Sequence, residues 1–275
     1  RSMAVVLAHG LLGLGARSAA KALDASYFHR IEEYLRRRHG LRVLATDVDG
    51  IAHSSVRGAQ LLQQIREWPE RRPAERVSVI AHSQGGLDAR WALSRLGGAE
   101  LVHTLLTLSA PHRGSALCSR LALPLVQNSP AAARAMMESL AVPVEAARFL
   151  SPEVMDGFNH ECPDSPEVKY YSLGGARRRY TEYWAPFAVL APLLNRFDPG
   201  PNDGLVTASS SEWGEYLGTL NCDHVDQINF PMKVMHRTPM EPLWDYLARA
   251  ATAEPGVAAP AELLFDPQLW QKDAA

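Results

Sequence analysis

The chain has 275 residues, 47% of them apolar and 21% charged, with a formal net charge of -2. That is the composition of an ordinary folded domain, and its near-neutral charge supplies no basic field for nucleic acid or anionic lipid. No stretch approaches the roughly 18 unbroken apolar residues of a membrane span, and no secretory-signal pattern leads the chain.

Apolar runs rich in β-branched residues recur at 4–8 (AVVLA), 41–48 (LRVLATDV), 76–81 (RVSVIA), 105–110 (LLTLSA) and 168–173 (VKYYSL). Segments of helical period separate them at 30–38, 58–68 and 85–96. Alternation at intervals too long for hairpins predicts an α/β fold: one domain over 1–275, with a mostly parallel sheet and helices on both faces. Ligands of such sheets sit outside the carboxyl ends of the strands, and the first strand runs into the glycine-rich HGLLGLG at one of those ends. Gly10 and Gly15 have the spacing of a phosphate loop, but Ala16 stands where its lysine belongs. Ser18 takes the place of the third glycine of a dinucleotide loop, so the loop must hold something other than a nucleotide.

From about 115 to 165 the alternation stops. This insertion reads as helices broken at Pro124, Pro130, Pro143 and Pro152, with Met136, Met137 and Leu140 on one helical face. It is expected to be a lid over an apolar cleft. In the tail, Leu263, Leu264, Phe265 and Trp270 are expected to dock on the body. Three cysteines, Cys118, Cys162 and Cys222, lack metal-ligand spacing and allow at most one internal disulfide, which leaves the compartment open.

The segment RVSVIAHSQGGLDARWAL carries the chemistry: a strand runs straight through Ala81-His82-Ser83-Gln84-Gly85 into a helix. A serine in so sharp a turn needs small residues two before and two after it, and Ala81 and Gly85 meet that demand. Ser83 is therefore the candidate nucleophile, needing a base and an orienting acid in the order serine, acid, histidine. FDPGPNDGLV places Asp203 in a turn after the last strands, and NCDHVDQINF supplies His224, 21 residues on. Asp198, Asp223 and Asp226 are rival acids, and His236 a rival base. Acyl transfer also requires fixed N–H donors for a developing oxyanion, one of them from the residue after the nucleophile, Gln84. The HGLLG loop supplies the other through Leu11, with His9 expected to brace the loop by hydrogen bonds.

LAHGLLG, VRGAQLLQQI, IAHSQGG, SAPHRGS, YYSLGG, NDGLV and DHVDQIN resemble, in order, segments of the Pseudomonas and Burkholderia type of bacterial triacylglycerol lipase. FDPGPNDGLVTASSSEWGEYLGTL is similar to the fungal intracellular and mitochondrial relatives of that group. The resemblance implies an α/β-hydrolase fold with Ser83, Asp203 and His224 as nucleophile, acid and base. It also implies the N–H groups of Leu11 and Gln84 as oxyanion hole, a helical lid at 115–165 and long-chain acylglycerol substrates; transient contact with a lipid–water interface is expected beside them. It further implies a structural calcium near the base, with Asp226 at one ligand position. The second carboxylate belongs upstream of Asp203, where GARRRYTEYWAPFAVLAPLLNR has no aspartate. One carboxylate with carbonyls is a poor calcium site, so no metal is expected. Of the disulfide that the resemblance implies, Cys162 stands near one position and Ser209 near the other.

Overall fold

The computed structural model describes residues 3–11, 27–124, 144–252 and 259–266. Met136, Met137 and Leu140 of the insertion, Gly15 and Ser18 of the opening loop and Trp270 of the tail lie outside the described residues.

Strand β1 (Ala4–Ala8) is followed by helix α1 (Ile31–His39), β2 (Arg42–Ala45), α2 (Ser54–Glu67), β3 (Val77–His82), α3 (Gln84–Arg95) and β4 (Val102–Leu108). The described part of the insertion contains α4 (Val144–Phe149) and α5 (Pro152–Glu161). Then come β5 (Lys169–Ala176), α6 (Ala185–Phe197), the short α7 (Ala208–Ser211), β6 (Glu215–Asn221) and α8 (Met240–Thr252). The strands form one sheet in the order β2-β1-β3-β4-β5-β6, and every pairing is parallel.

The central strands are buried on both faces, which is why they read as continuous apolar runs. Their side chains still alternate between two cores. Val5 and Leu7 face α1 and α8 through Ile31, Leu35, Trp244 and Leu247, whereas Val6 and Ala8 face α2 and α3 through Leu61, Ile65 and Leu93. Because all strands run the same way, the loops after β1, β3, β5 and β6 open at one end of the sheet. Those loops carry Gly10, Ser83, Arg177 and His224.

One strand was not anticipated, and it corrects the expected position of Asp203. Asp203 does not follow the last strands: it lies between β5 and β6, so β6 separates it from His224. Strand β6 is a sheet edge whose residues are mostly half-buried, and Gly218 adopts a φ of 126° within it. The tail docks on that edge as expected, with the Phe265 N–H donating to the Thr219 carbonyl at 2.8 Å and Leu263 and Phe265 buried. The three thiols are all free, and Cys162 and Cys222 are buried.

Candidate active site

Ser83 sits between β3 and α3 with φ 55° and ψ -133°, a left-handed backbone that a β-carbon makes costly. Two glycines let neighbouring backbone close around it. A β-carbon on Gly85 would lie 2.5 Å from the Ala8 carbonyl oxygen and 2.7 Å from that of His9. One on Gly10 would lie 2.7 Å from Cβ of Ser83. Gly85→Ala must therefore push α3 away from the end of β1, and is expected to cost about 1–3 kcal/mol together with most of the activity. A urea midpoint equal to that of the wild type would contradict this packing.

The structure brings Asp203 and His224 together. The His224 Nδ1 lies 2.7 Å from Asp203 Oδ2, with both side chains buried. The other carboxylate oxygen accepts the N–H groups of Leu205 (3.0 Å) and Val206 (2.8 Å), and the Asp203 carbonyl accepts the His224 N–H (3.0 Å). The Asn-Asp-Gly turn thus aims one oxygen at the imidazole by occupying the other. The rivals are engaged elsewhere: Asp198 accepts the Thr207 hydroxyl at 2.9 Å, and His236 is exposed. Asp223 and Asp226 bind the buried Lys233 ammonium at 2.8 and 2.7 Å. Burial raises the Asp223 pKa, reinforced by Asp226. In Asp226 burial acts the same way, but Arg177 and Lys233 outweigh it and hold the carboxyl below its ordinary range.

His82 joins the elbow to His224, a role that its place in the motif did not reveal. Its Nε2 lies 3.0 Å from the His224 carbonyl oxygen, which can only accept, so Nε2 carries the proton. Nδ1 then accepts from the Tyr27 hydroxyl at 2.7 Å. Burial, and then the neighbouring His224, push the His82 pKa well below its usual value, which keeps the ring neutral. The two imidazoles are in tilted contact, their planes 51° apart and their centroids 4.4 Å apart, which places His224 beside the residue that precedes Ser83.

The opening loop is held from behind. His9 accepts the Val48 N–H on Nε2 (3.0 Å) and donates from Nδ1 to the Gly10 carbonyl (2.8 Å), the bracing expected of it. Arg57, also missed in the sequence, donates to the carbonyls of His9 (2.8 Å) and Gly10 (3.1 Å). Its Nε meets Asp88 at 2.7 Å, and Asp88 also accepts the Ser54 hydroxyl at 2.6 Å. Burial lifts the Asp88 pKa to about 6 against the pull of Arg57 and Ser54. Gln84, as the first residue of α3, has a backbone N–H with no intrahelical partner, and Leu11 packs against the buried cluster that contains Leu87, Phe149 and Leu150. Beside this cluster lies an apolar cavity of about 420 Å³, lined by Ile51, Ala52, His53, Ala146, Phe149 and Val154 among others. Ala52 ties it to the elbow through a 3.2 Å hydrogen bond from the Gln84 amide.

The fold and the elbow define an α/β hydrolase. The sequence pattern of the palmitoyl protein thioesterase family matches residues 4–151, more than half of the chain, and the chain belongs to that family. It is 31% identical over 220 residues to triacylglycerol lipase 2 of Saccharomyces cerevisiae, a match covering 77% of this chain and 65% of the yeast protein. The triacylglycerol lipase of Pseudomonas fragi is 28% identical over 82% of this chain and 87% of its own length. Among solved structures, a metagenomic carboxyl esterase superposes with a TM-score of 0.71 at 22% identity, covering 91% of this chain and 75% of the esterase. Bacterial and yeast lipases as relatives bear out the resemblance in the motifs.

Proposed function

We propose that the protein is a serine ester hydrolase of lipase type, cleaving acylglycerols or other fatty-acid esters. The observation that carries this reading is the buried Asp203–His224 pair, 2.7 Å apart, with His224 in tilted ring contact with His82, the residue just before the strained Ser83 turn. Ser83 attacks the ester carbonyl while His224 removes its proton. Asp203 stabilises the imidazolium, and His224 returns the proton to the leaving alcohol. The N–H groups of Leu11 and Gln84 stabilise the oxyanion, and water activated by His224 then releases the fatty acid from Ser83. The apolar cavity by Phe149 suits an aliphatic chain, and the 115–165 insertion acts as its lid.

Contact with a lipid–water interface is supported by the loop after His224. There Met232, Val234 and Met235 are 69%, 82% and 71% exposed, an apolar cluster of the kind that marks interaction surfaces. The triple variant Met232→Ser, Val234→Ser, Met235→Ser is expected to lose about tenfold in rate on an emulsion, since burying three such side chains is worth at least ~1.4 kcal/mol. It should keep its rate on a soluble ester. An equal loss on both would place the loop's role in catalysis rather than at the interface.

The test of the whole reading is the rate on p-nitrophenyl esters from acetate to palmitate and on emulsified triolein, with Ser83→Ala as blank. Rates rising with chain length and on the emulsion support the lipase. A peak at acetate or butyrate without emulsion activity would make the protein a soluble carboxylesterase. Turnover that survives in Ser83→Ala would sink the nucleophile.

A further inference from the structure

The calcium implied by the resemblance would sit at Asp226, and the donors there do not fit it. Calcium takes 6–8 oxygen ligands. Here the oxygens of Asp223 and Asp226 are already committed to donors. The Asp223 carboxylate accepts the Asp226 N–H (3.0 Å), the Trp184 N–H (2.7 Å) and the Lys233 ammonium (2.8 Å). That of Asp226 accepts Lys233 (2.7 Å), the Asp223 N–H (3.0 Å), Arg177 (2.5 Å) and the Thr238 N–H (3.3 Å). All four charged side chains are buried, and two cations face two carboxylates. Adding a dication without expelling the ammonium would leave excess positive charge in a site of low dielectric, where charge imbalance is most costly.

We propose that Lys233 is an internal cation that does here what a bound divalent metal does in metal-dependent relatives, so that the histidine loop closes without calcium. Asp223 and Asp226 flank His224 in the chain, and each is pinned by the same ammonium. The ammonium joins its own loop to the His224 loop through the two carboxylates, and those carboxylates in turn hold the end of β5 through Arg177 and the start of α6 through Trp184. Lys233 is only 2% exposed between two neighbours that are 69% and 82% exposed, so the chain turns this one side chain inward. Arg177 ties the far side of the same loop by donating to the His236 carbonyl (2.5 Å) and the Thr238 hydroxyl (2.9 Å).

The experiment is thermal unfolding of the wild type and of Lys233→Met, each in EDTA and in excess calcium, with calorimetric titration of calcium into the wild type. The expected result is one melting temperature for the wild type in both buffers and no binding heat. Lys233→Met should melt roughly 10 °C lower, because it leaves two adjacent buried carboxylates with a single cation. A wild type that melts lower in EDTA and recovers with calcium would overturn the proposal. A Lys233→Met variant that melts with the wild type would overturn it too. If the variant fails to fold, the two wild-type measurements still decide the matter.

Discussion

Replacing Asp203 by asparagine should lower kcat about 10⁴-fold while leaving KM and the melting temperature close to those of the wild type. The geometry makes the tautomer the cause. Asp203 Oδ1 is occupied by the N–H groups of Leu205 and Val206, which an asparagine carbonyl oxygen would still accept. The new amide nitrogen would then stand where Oδ2 now lies, 2.7 Å from His224 Nδ1. An amide can only donate from that side, so Nδ1 would become the acceptor and the ring proton would move to Nε2. A base that already carries its proton cannot take one from Ser83. Asp198→Asn is the control, because the Asp198 carboxylate accepts the Thr207 hydroxyl rather than an imidazole, and the variant should keep its turnover. Single-turnover acylation by a p-nitrophenyl ester isolates the step. An Asp203→Asn enzyme within about tenfold of wild type would remove Asp203 from the chemistry, whatever its hydrogen bonds.

How much of this was legible in the sequence depends on the range of the interaction. The strands containing AVVLA and RVSVIA could be read because burial on both faces writes a continuous apolar run. Strand β6 could not, because an edge strand opening on Glu215 and interrupted by Gly218 has no such run. Helix α8 was hidden by Pro239 and Pro242, although proline costs little in a first turn. Ser83 and Asp203 announced themselves through local turn chemistry, a strand-to-helix elbow and an Asn-Asp-Gly turn. Arg57, Tyr27 and His82 act through partners 31 to 142 residues away, and no local pattern encodes such a pairing. Arg57 stands within VRGAQLLQQI, where an arginine on a helix reads as a surface charge. Its one local warning is Gly58, where a β-carbon would come within 2.7 Å of the Asp88 carbonyl oxygen and hold α2 off α3.

Arg57→Met is the second large effect, and it should separate stability from activity. Arg57 and Asp88 are fully buried, and removing one partner leaves the other charge unpaired, which costs about 3–5 kcal/mol. Burial already lifts Asp88 to about 6, so without the guanidinium the carboxyl should take up a proton near neutral pH and soften the loss. The other half of the role concerns the loop proposed to carry the oxyanion donor of Leu11. The same guanidinium holds the carbonyls of His9 and Gly10, and a methionine cannot replace those donors. Arg57→Met is therefore expected to lose both its urea midpoint and about 10²-fold in kcat, the scale of losing one oxyanion donor. The double variant Arg57→Met, Asp88→Leu discriminates between the two roles. With no charge left buried it should regain most of the stability, while kcat stays low because the loop remains without its donor. Recovery of stability and kcat together would mean that Arg57 serves only the packing of α2 against α3, and that His9 alone suffices to set the loop.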